Sequence, residues 1–184
     1  WATFVRSSQV QNLNKTIPDD WSMYILAVFY RLQLHFPDVQ IRGIDCLFSG
    51  NIPVGSGLSS SSALQVAFSQ ALIALNNIQV PKSLLIEMIG ECELFAGFHG
   101  GKADPAAILT AEKGMVSTIG FFPLHILTNT PMPEDLKVII AFSGTVAKKV
   151  GRIKDIFNQR VACYKLAVMI LLQQWESAKN AHYL

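Results

Sequence analysis

Residues 52–63 read Ile52-Pro53-Val54-Gly55-Ser56-Gly57-Leu58-Ser59-Ser60-Ser61-Ser62-Ala63. Two glycines let backbone N–H groups approach an anion closely, and a run of small hydroxyl side chains adds donors around it. The segment follows a stretch of strand character and leads into Leu64, Val66, Ala67 and Leu72, which suit one face of a helix. A helix starting there points its free N–H groups and the positive end of its dipole at the loop. The chemistry of such an arrangement is phosphate binding. It is not a Walker loop, because no Gly-Lys-Ser/Thr follows. It is not a Rossmann fingerprint either, because the glycine spacing differs. A flexible Ser/Gly linker is the plainer account, but a linker would not run straight into an apolar helix face.

The wording of this loop resembles the second motif of galactokinases, within the superfamily of galactokinase, homoserine kinase, mevalonate kinase and phosphomevalonate kinase (GHMP). The family form reads roughly Pro-x-Gly-x-Gly-Leu-Ser-Ser-Ser-Ala. Pro53, Gly55, Gly57, Leu58, Ser59, Ser60, Ser61 and Ala63 fit it, while Ser62 stands for Ala and Gln65 for Glu. Neither change removes a backbone donor. The resemblance implies that Pro53, Gly55, Ser56, Gly57, Leu58, Ser59, Ser60 and Ser61 hold nucleotide, and that Ser61 helps hold Mg²⁺.

A second segment, Phe95-Ala96-Gly97-Phe98-His99-Gly100-Gly101-Lys102-Ala103-Asp104, resembles the galactokinase segment Phe-x-Gly-x-x-Cys-Gly-x-Met-Asp-Gln. Phe95, Gly97, Gly101 and Asp104 match in register. Gly100, Ala103 and Pro105 replace Cys, Met and Gln. The resemblance implies that Asp104 is the catalytic residue, taking or orienting the proton of the sugar hydroxyl, with Gly100 and Gly101 beside the substrate. That step is governed mainly by positioning and charge stabilisation. Asp-Pro is also an ordinary helix start, with Asp as N-cap and Pro at the first helical position. The two readings are compatible. A kinase of this type also needs a carboxylate for Mg²⁺, and family members place a Glu about eleven or twelve residues before the Asp. Glu93 is the better candidate and Glu91 the reserve; Cys92 occupies the twelve-residue spacing. The two glutamates are about 200° apart on a helix, so they cannot both face one site.

A third stretch, Ile139-Ile140-Ala141-Phe142-Ser143-Gly144 and then Phe157-Asn158-Gln159-Arg160-Val161-Ala162-Cys163, resembles a family strand ending Asp-Ser-Gly followed by Tyr-Asn-x-Arg and a later Cys. Ser143, Gly144, Asn158, Arg160 and Cys163 match. Phe142 replaces Asp, and Phe157 replaces a Tyr whose hydroxyl contacts the sugar, which makes Phe157 a substrate-side residue. Arg160-Val161 and Ala106-Ala107-Ile108-Leu109 also resemble galacturonate-directed kinases. Trp21 with Tyr24 resembles the family's Trp-x-x-Tyr helix.

The resemblance implies an α+β, two-domain GHMP-kinase fold with a ribosomal-protein-S5-domain-2-like N-terminal part, divided here into 1–134 and 135–184. It implies ATP and Mg²⁺ as cofactors, small-molecule sugar and nucleotide as partners, and the reaction ATP + sugar → ADP + sugar 1-phosphate, with galactose or galacturonate as the sugar class. The family's first motif, which holds the sugar and supplies an Arg, and its glycine-rich third motif do not occur within residues 1–184. The expectation is a chain truncated at both ends and inactive, or nearly so, by itself. A second reading is a non-catalytic nucleotide- or sugar-binding sensor, favoured by Ala103, Pro105 and Phe157.

The elements that must position these residues are read from periodicity. Residues 2–9 read as a strand. Pro18-Asp19-Asp20 starts a helix with Trp21, Tyr24, Ile25, Val28, Phe29 and Leu32 on one face. Val39 to Phe48 reads as a strand with a bulge at Gly43. The serine-rich loop runs into a helix ending near Asn76-Asn77. Pro81 opens a helix to about Phe95 with Leu84, Leu85, Met88, Ile89 and Cys92 inward, and Asp104-Pro105 a short one to Ala111. Met115 to Phe122 and Leu136 to Phe142 read as strands, Thr128 to Asp135 as a linker, and about Lys154 to Ala178 as a long helix.

The chain has 184 residues, suiting one domain or one and part of a second. Hydrophobic residues make up 51% and charged residues 15%, apolar for a free-standing soluble domain. The expectation is a soluble core lacking some covering elements, because the longest apolar run, Leu166 to Leu172, is too short to span a bilayer. A net charge of +2, with Lys148, Lys149 and Arg152 the densest basic group, argues against a nucleic-acid partner. Cys46, Cys92 and Cys163 are three in number, far apart, and set in apolar patterns, so they read as small core residues, reduced as in the cytosol. His35, His125 and His182 lie singly; His99 belongs to the glycine turn. Neither the specific sugar nor the oligomeric state is written in these residues.

Overall fold

The computed structural model describes residues 1–16, 21–121, 124–146 and 152–175. The chain divides into two compact units, Trp1–Ala147 and Lys148–Leu184. The first unit carries the short helices α1 (Ala2–Val5) and α2 (Ser8–Thr16), then α3 (Ser22–His35), α4 (Ser60–Leu75) and α5 (Lys82–Cys92). A 3₁₀ turn, Glu93–Ala96, continues α5, and α6 (Ala103–Thr110) and a hairpin of β1 (Met115–Phe121) and β2 (Leu124–Pro131) follow. In the second unit the described residues form α7 (Arg152–Gln174). No helix among the described residues is long and apolar enough to cross a membrane.

The core of the first unit is helical. Ala27, Val28 and Leu32 of α3 pack with Val66, Phe68 and Leu72 of α4, with Leu85, Ile86, Met88 and Ile89 of α5, and with Ala106 and Leu109 of α6. The α5 and α6 residues recur at three- and four-residue intervals, one stripe of each helix, whereas Val66, Phe68 and Leu72 spread over a broader face of α4. α4 ends where expected. Asn77 is left-handed (φ 51°), and the Ile78 N–H reaches back to the Ile73 carbonyl at 3.0 Å, a Schellman-type stop.

Residues 2–9 are helical, not a strand. Trp1, Phe4 and Val5 are three and four apart and turn to the core together, as do Val10 and Leu13. The Gln11 amide donates to the Val5 carbonyl at 2.9 Å and closes α1. Packing of one apolar face thus overrides the β preference of Thr, Phe and Val. The expected start of α3 at 18–20 lies outside the described residues. Trp21 is the N-cap and is exposed, its ring edge-on to Phe48 at 5.7 Å, so it does not share the buried face. Ala67 also faces solvent.

The stretches 39–48 and 136–142 are not strands, and the bulge at Gly43 goes with them. A strand exists only with a neighbour to bond, and the described sheet holds only β1 and β2. The backbone of 41–42 is served by side chains instead. The Ile41 N–H donates to Gln33 Oε1 at 3.2 Å and the Arg42 N–H to Asn76 Oδ1 at 2.7 Å. The expected linker from Thr128 is overturned in its first half. Thr128, Asn129, Thr130 and Pro131 pair with Thr118, Ser117, Val116 and Met115 of β1. The register shifts between Thr118 and Ile119, where Leu127 is the extra residue. Cys46 and Cys163 are exposed; of the three cysteines only Cys92 is a core residue.

Candidate functional site

The loop before α4 is built on a tight turn and an alternation of backbone hands. The Pro53 carbonyl accepts from both the N–H and the hydroxyl of Ser56, at 3.4 and 2.7 Å. Gly55, Gly57 and Ser59 are left-handed, with φ of 73°, 77° and 58°, and the residues between them are not. Left-handed residues recurring in this way are a feature of the backbone concavities that bind anions. Glycine takes two of the three positions without penalty; Ser59 stores about 1–2 kcal/mol of backbone strain there. α4 begins at the next residue. Its first bond, Ala63 N–H to Ser59 carbonyl at 2.9 Å, places Ser60, Ser61 and Ser62 in the first turn, where a backbone N–H has no acceptor within the helix itself. A cavity of about 370 Å³ lies against this loop, lined by Pro53, Val54, Gly55, Ser56 and Leu58 on one side and 140–142 with Val146 on the other.

Ser61 and Glu93, 32 positions apart, meet. The Ser61 hydroxyl donates to Glu93 Oε1 at 3.2 Å, and Glu93 is buried, 7% exposed. Glu91 points elsewhere. Its carboxylate accepts from Arg31 Nε at 2.9 Å, its carbonyl accepts from the Trp1 indole at 2.8 Å, and the Arg31 guanidinium lies 5.9 Å from the centroid of the Trp1 ring. α3 thus supplies Glu91 with a cation, while the 3₁₀ turn carries Glu93 toward α4. Between them Cys92 is buried, and burial pushes its thiol far above the ordinary value despite nearby Arg31; Glu91 and Glu93 raise it further. A neutral thiol is neither a ligand nor a nucleophile. Ser61 and Glu93 supply hard oxygen donors, which fit Mg²⁺, an ion that takes one or two protein carboxylates and completes its shell with water and phosphate.

The 3₁₀ turn ends at Gly97, left-handed at φ 75°, with the Gly97 N–H on Leu94 and the Phe98 N–H on Glu93, 2.9 and 3.0 Å. The chain then enters the 98–101 turn, where the Gly100 N–H bonds the Phe98 carbonyl at 3.0 Å. This turn, with Gly90, Glu91, Leu94, Lys102, Ala103 and Phe121, lines a mainly apolar cavity of about 480 Å³. Lys102 pairs with Glu87. Asp104 does not cap α6. The helix starts at Ala103 with Lys102 as N-cap and no side-chain cap bond, so Asp104 stands within the first turn, exposed, and Pro105 follows it, buried. Pro is tolerated there because first-turn N–H groups have no intrahelical acceptor to lose. α6 packs on both α4 and α5.

Phe157, Asn158 and Arg160 stand on α7, in the second unit; Phe157 and Arg160 are exposed. Ser143 and Gly144 are exposed in the first unit. One residue of the site region, noted in the sequence only as standing for a family Glu, was given no role there. Gln65, one helical turn after Ser61, is 1% exposed, and neither its amide nitrogen nor its oxygen has a hydrogen-bond partner. Its spacing of four from Ser61 was the available signal. Unpaired buried amides cost about 1–3 kcal/mol, so Gln65→Met is expected to raise the thermal unfolding midpoint by roughly 2–4 °C per kcal/mol recovered; a lowered midpoint would show that the amide is paired in solution.

Residues 23–112 match the family described as GHMP kinases N terminal domain. The chain is 28% identical over 165 residues to a galactokinase of Dictyostelium discoideum, covering 87% of this chain and 33% of that protein. It is 32% identical over 152 residues to a galactokinase of Chloroflexus aurantiacus, with 82% and 37% covered. With a galactokinase of Candida albicans it shares 31% identity over 137 residues, 73% of this chain and 27% of that one. The chain spans about a third of the length of the curated relatives it matches.

Proposed function

Because this chain belongs to the galactokinase-type branch of the GHMP kinase superfamily, we propose that it carries the phosphate-holding and proton-handling segments of an ATP-dependent kinase that makes a sugar 1-phosphate. The observation that carries the reading is the meeting of Ser61 and Glu93 at the N-terminus of α4, directly after the alternating-hand loop. A hydroxyl and a buried carboxylate are set where nucleotide phosphates would sit.

The N–H groups of the loop and of Ser60, Ser61 and Ser62 bind phosphate oxygens and hold the γ-phosphoryl in line. Ser61 and Glu93 would hold Mg²⁺, which when bound neutralises charge on the phosphate oxygens. Asp104 orients the sugar hydroxyl and accepts its proton. The O–P bond to the sugar forms as the bond from the γ-phosphorus to the oxygen shared with ADP breaks. Gly100 and Gly101 are the substrate-side residues of the first unit in this reading, with galactose or galacturonate as the sugar. Phe157 brings no hydroxyl, the observation that favours the second reading, a nucleotide- or sugar-binding sensor.

The test is ATP consumption by the full-length protein against a panel of hexoses and uronic acids. Turnover with a sugar, yielding its 1-phosphate, is the expected outcome. Nucleotide binding without turnover on any sugar would give the sensor reading, and neither binding nor turnover would remove both.

A further inference from the structure

The turn that precedes Asp104 holds two adjacent glycines whose situations differ. Neither Gly100 nor Gly101 has the left-handed φ that demands glycine. A Cβ added at Gly101 would meet nothing within 4 Å. A Cβ added at Gly100 would collide with the Glu93 side chain, standing 2.8 Å from its Cδ and 3.1 Å from its Cβ, and closer still to Oε2. With Glu93 placed as it is here, glycine at position 100 answers to space and not to backbone conformation, and the Cys of the family form would need the Glu93 side chain to shift. The space is filled by one group, the carboxylate that accepts the Ser61 hydroxyl at 3.2 Å.

We propose, resting on the reading above, that Gly100 is a positioning residue for the metal carboxylate: the bare Cα gives the Glu93 carboxylate the room in which it faces Ser61. The Glu93 side chain has little other freedom. It is 7% exposed and is rooted at the first residue of the 3₁₀ turn, whose carbonyl accepts the Phe98 N–H at 3.0 Å. The same short loop that fixes the Glu93 backbone thus brings Gly100 back over its carboxylate. Adding one methyl group leaves the turn two options, to rotate Glu93 away from Ser61 or to lift from it. Either separates the two oxygen donors while leaving the loop at 53–59 in place. The role concerns divalent-cation affinity, and the nucleotide without its metal is held as before.

The experiment is calorimetric titration of ADP into the full-length protein, in excess EDTA and across a series of Mg²⁺ concentrations, for the wild type, Gly100→Ala, Glu93→Ala and the double variant. Wild type gains nucleotide affinity with Mg²⁺; a wild type that binds ADP with no Mg²⁺ dependence would sink the metal reading of Ser61 and Glu93 itself, and this proposal with it. With that dependence present, Gly100→Ala is expected to require about 10–100-fold more Mg²⁺ for the same gain, with metal-free ADP affinity unchanged. In the Glu93→Ala background, where the methyl group meets no carboxylate, Gly100→Ala is expected to change neither Mg²⁺ dependence nor the thermal midpoint. Wild-type Mg²⁺ dependence in Gly100→Ala overturns the proposal. So does a loss of metal-free ADP affinity or of thermal midpoint that persists when Glu93 is alanine, since that is a defect of the turn alone.

Discussion

On the proposed kinase reading, replacing Asp104 with alanine is expected to lower kcat of the full-length protein by roughly 10²–10⁴-fold, the span that a positioned proton acceptor contributes, or about 3–5 kcal/mol of barrier. Its stability barely moves. Asp104 is exposed in the first turn of α6, and among the described residues no hydrogen bond or ion pair engages its carboxylate. The favourable placement of an acid near a helix N-terminus is worth about 0.3–1 kcal/mol, so the thermal midpoint falls by a few degrees at most. Asp104→Asn keeps the shape and the hydrogen-bonding capacity but cannot take a proton, and is expected to lose nearly as much rate. Steady-state kinetics alongside thermal unfolding of both variants checks this. Undiminished kcat in Asp104→Ala would remove it as the base and return it to a helix-start residue; a large drop in midpoint would mean that the carboxylate is structural.

The parts of the site that were legible beforehand are those fixed by local chemistry. The glycine–serine loop announces itself because left-handed turns need glycine and helix starts favour small hydroxyl residues, and α4 follows from a period that its own residues carry. The choice between Glu91 and Glu93 was half legible. The helical angle says that they diverge, but that Arg31 of α3 takes Glu91 is known only once α3 lies beside α5. The expected strands 39–48 and 136–142 failed for a related reason. Apolar alternation states that a segment can pair, not that a partner stands next to it, and Leu47, Val138 and Ile139 are exposed. At 128–131 the error ran the other way. Thr, Asn and Pro look like connector residues, yet the Met132 N–H closes on the Gly114 carbonyl at 2.8 Å and draws the segment into the hairpin. Gly100 was read as one glycine of a sugar-side turn; that its missing side chain makes room for a carboxylate seven positions earlier depends on the 3₁₀ turn folding back, which no spacing rule expresses.

Phe95→Ala is expected to cost about 3–5 kcal/mol, the usual range for emptying a buried aromatic site. Phe95 is 1% exposed and sits in an aromatic stack, its ring 6.2 Å from Trp1 and 5.8 Å from Tyr30, with Phe4 5.7 Å from both of those rings. Its carbonyl also accepts the Asn14 amide at 3.1 Å, so the same residue ties α2 to the 3₁₀ turn. The rings come from α1, its N-cap and α3, which cannot close over the vacated volume without giving up one another. Against a typical domain stability of roughly 5–15 kcal/mol, the loss is about a fifth or more, and thermal unfolding should show it as a drop of about 6–20 °C. The damage should also reach the site, because Phe95 lies two residues from Glu93 and from Gly97, inside the turn that holds the carboxylate against Ser61. Phe95→Ala and Asp104→Ala therefore separate cleanly. The first lowers the midpoint and Mg²⁺ dependence together, while the second lowers kcat and leaves both. A Phe95→Ala protein with an unchanged midpoint would mean that the aromatic stack closes over the gap and that the turn is held from elsewhere.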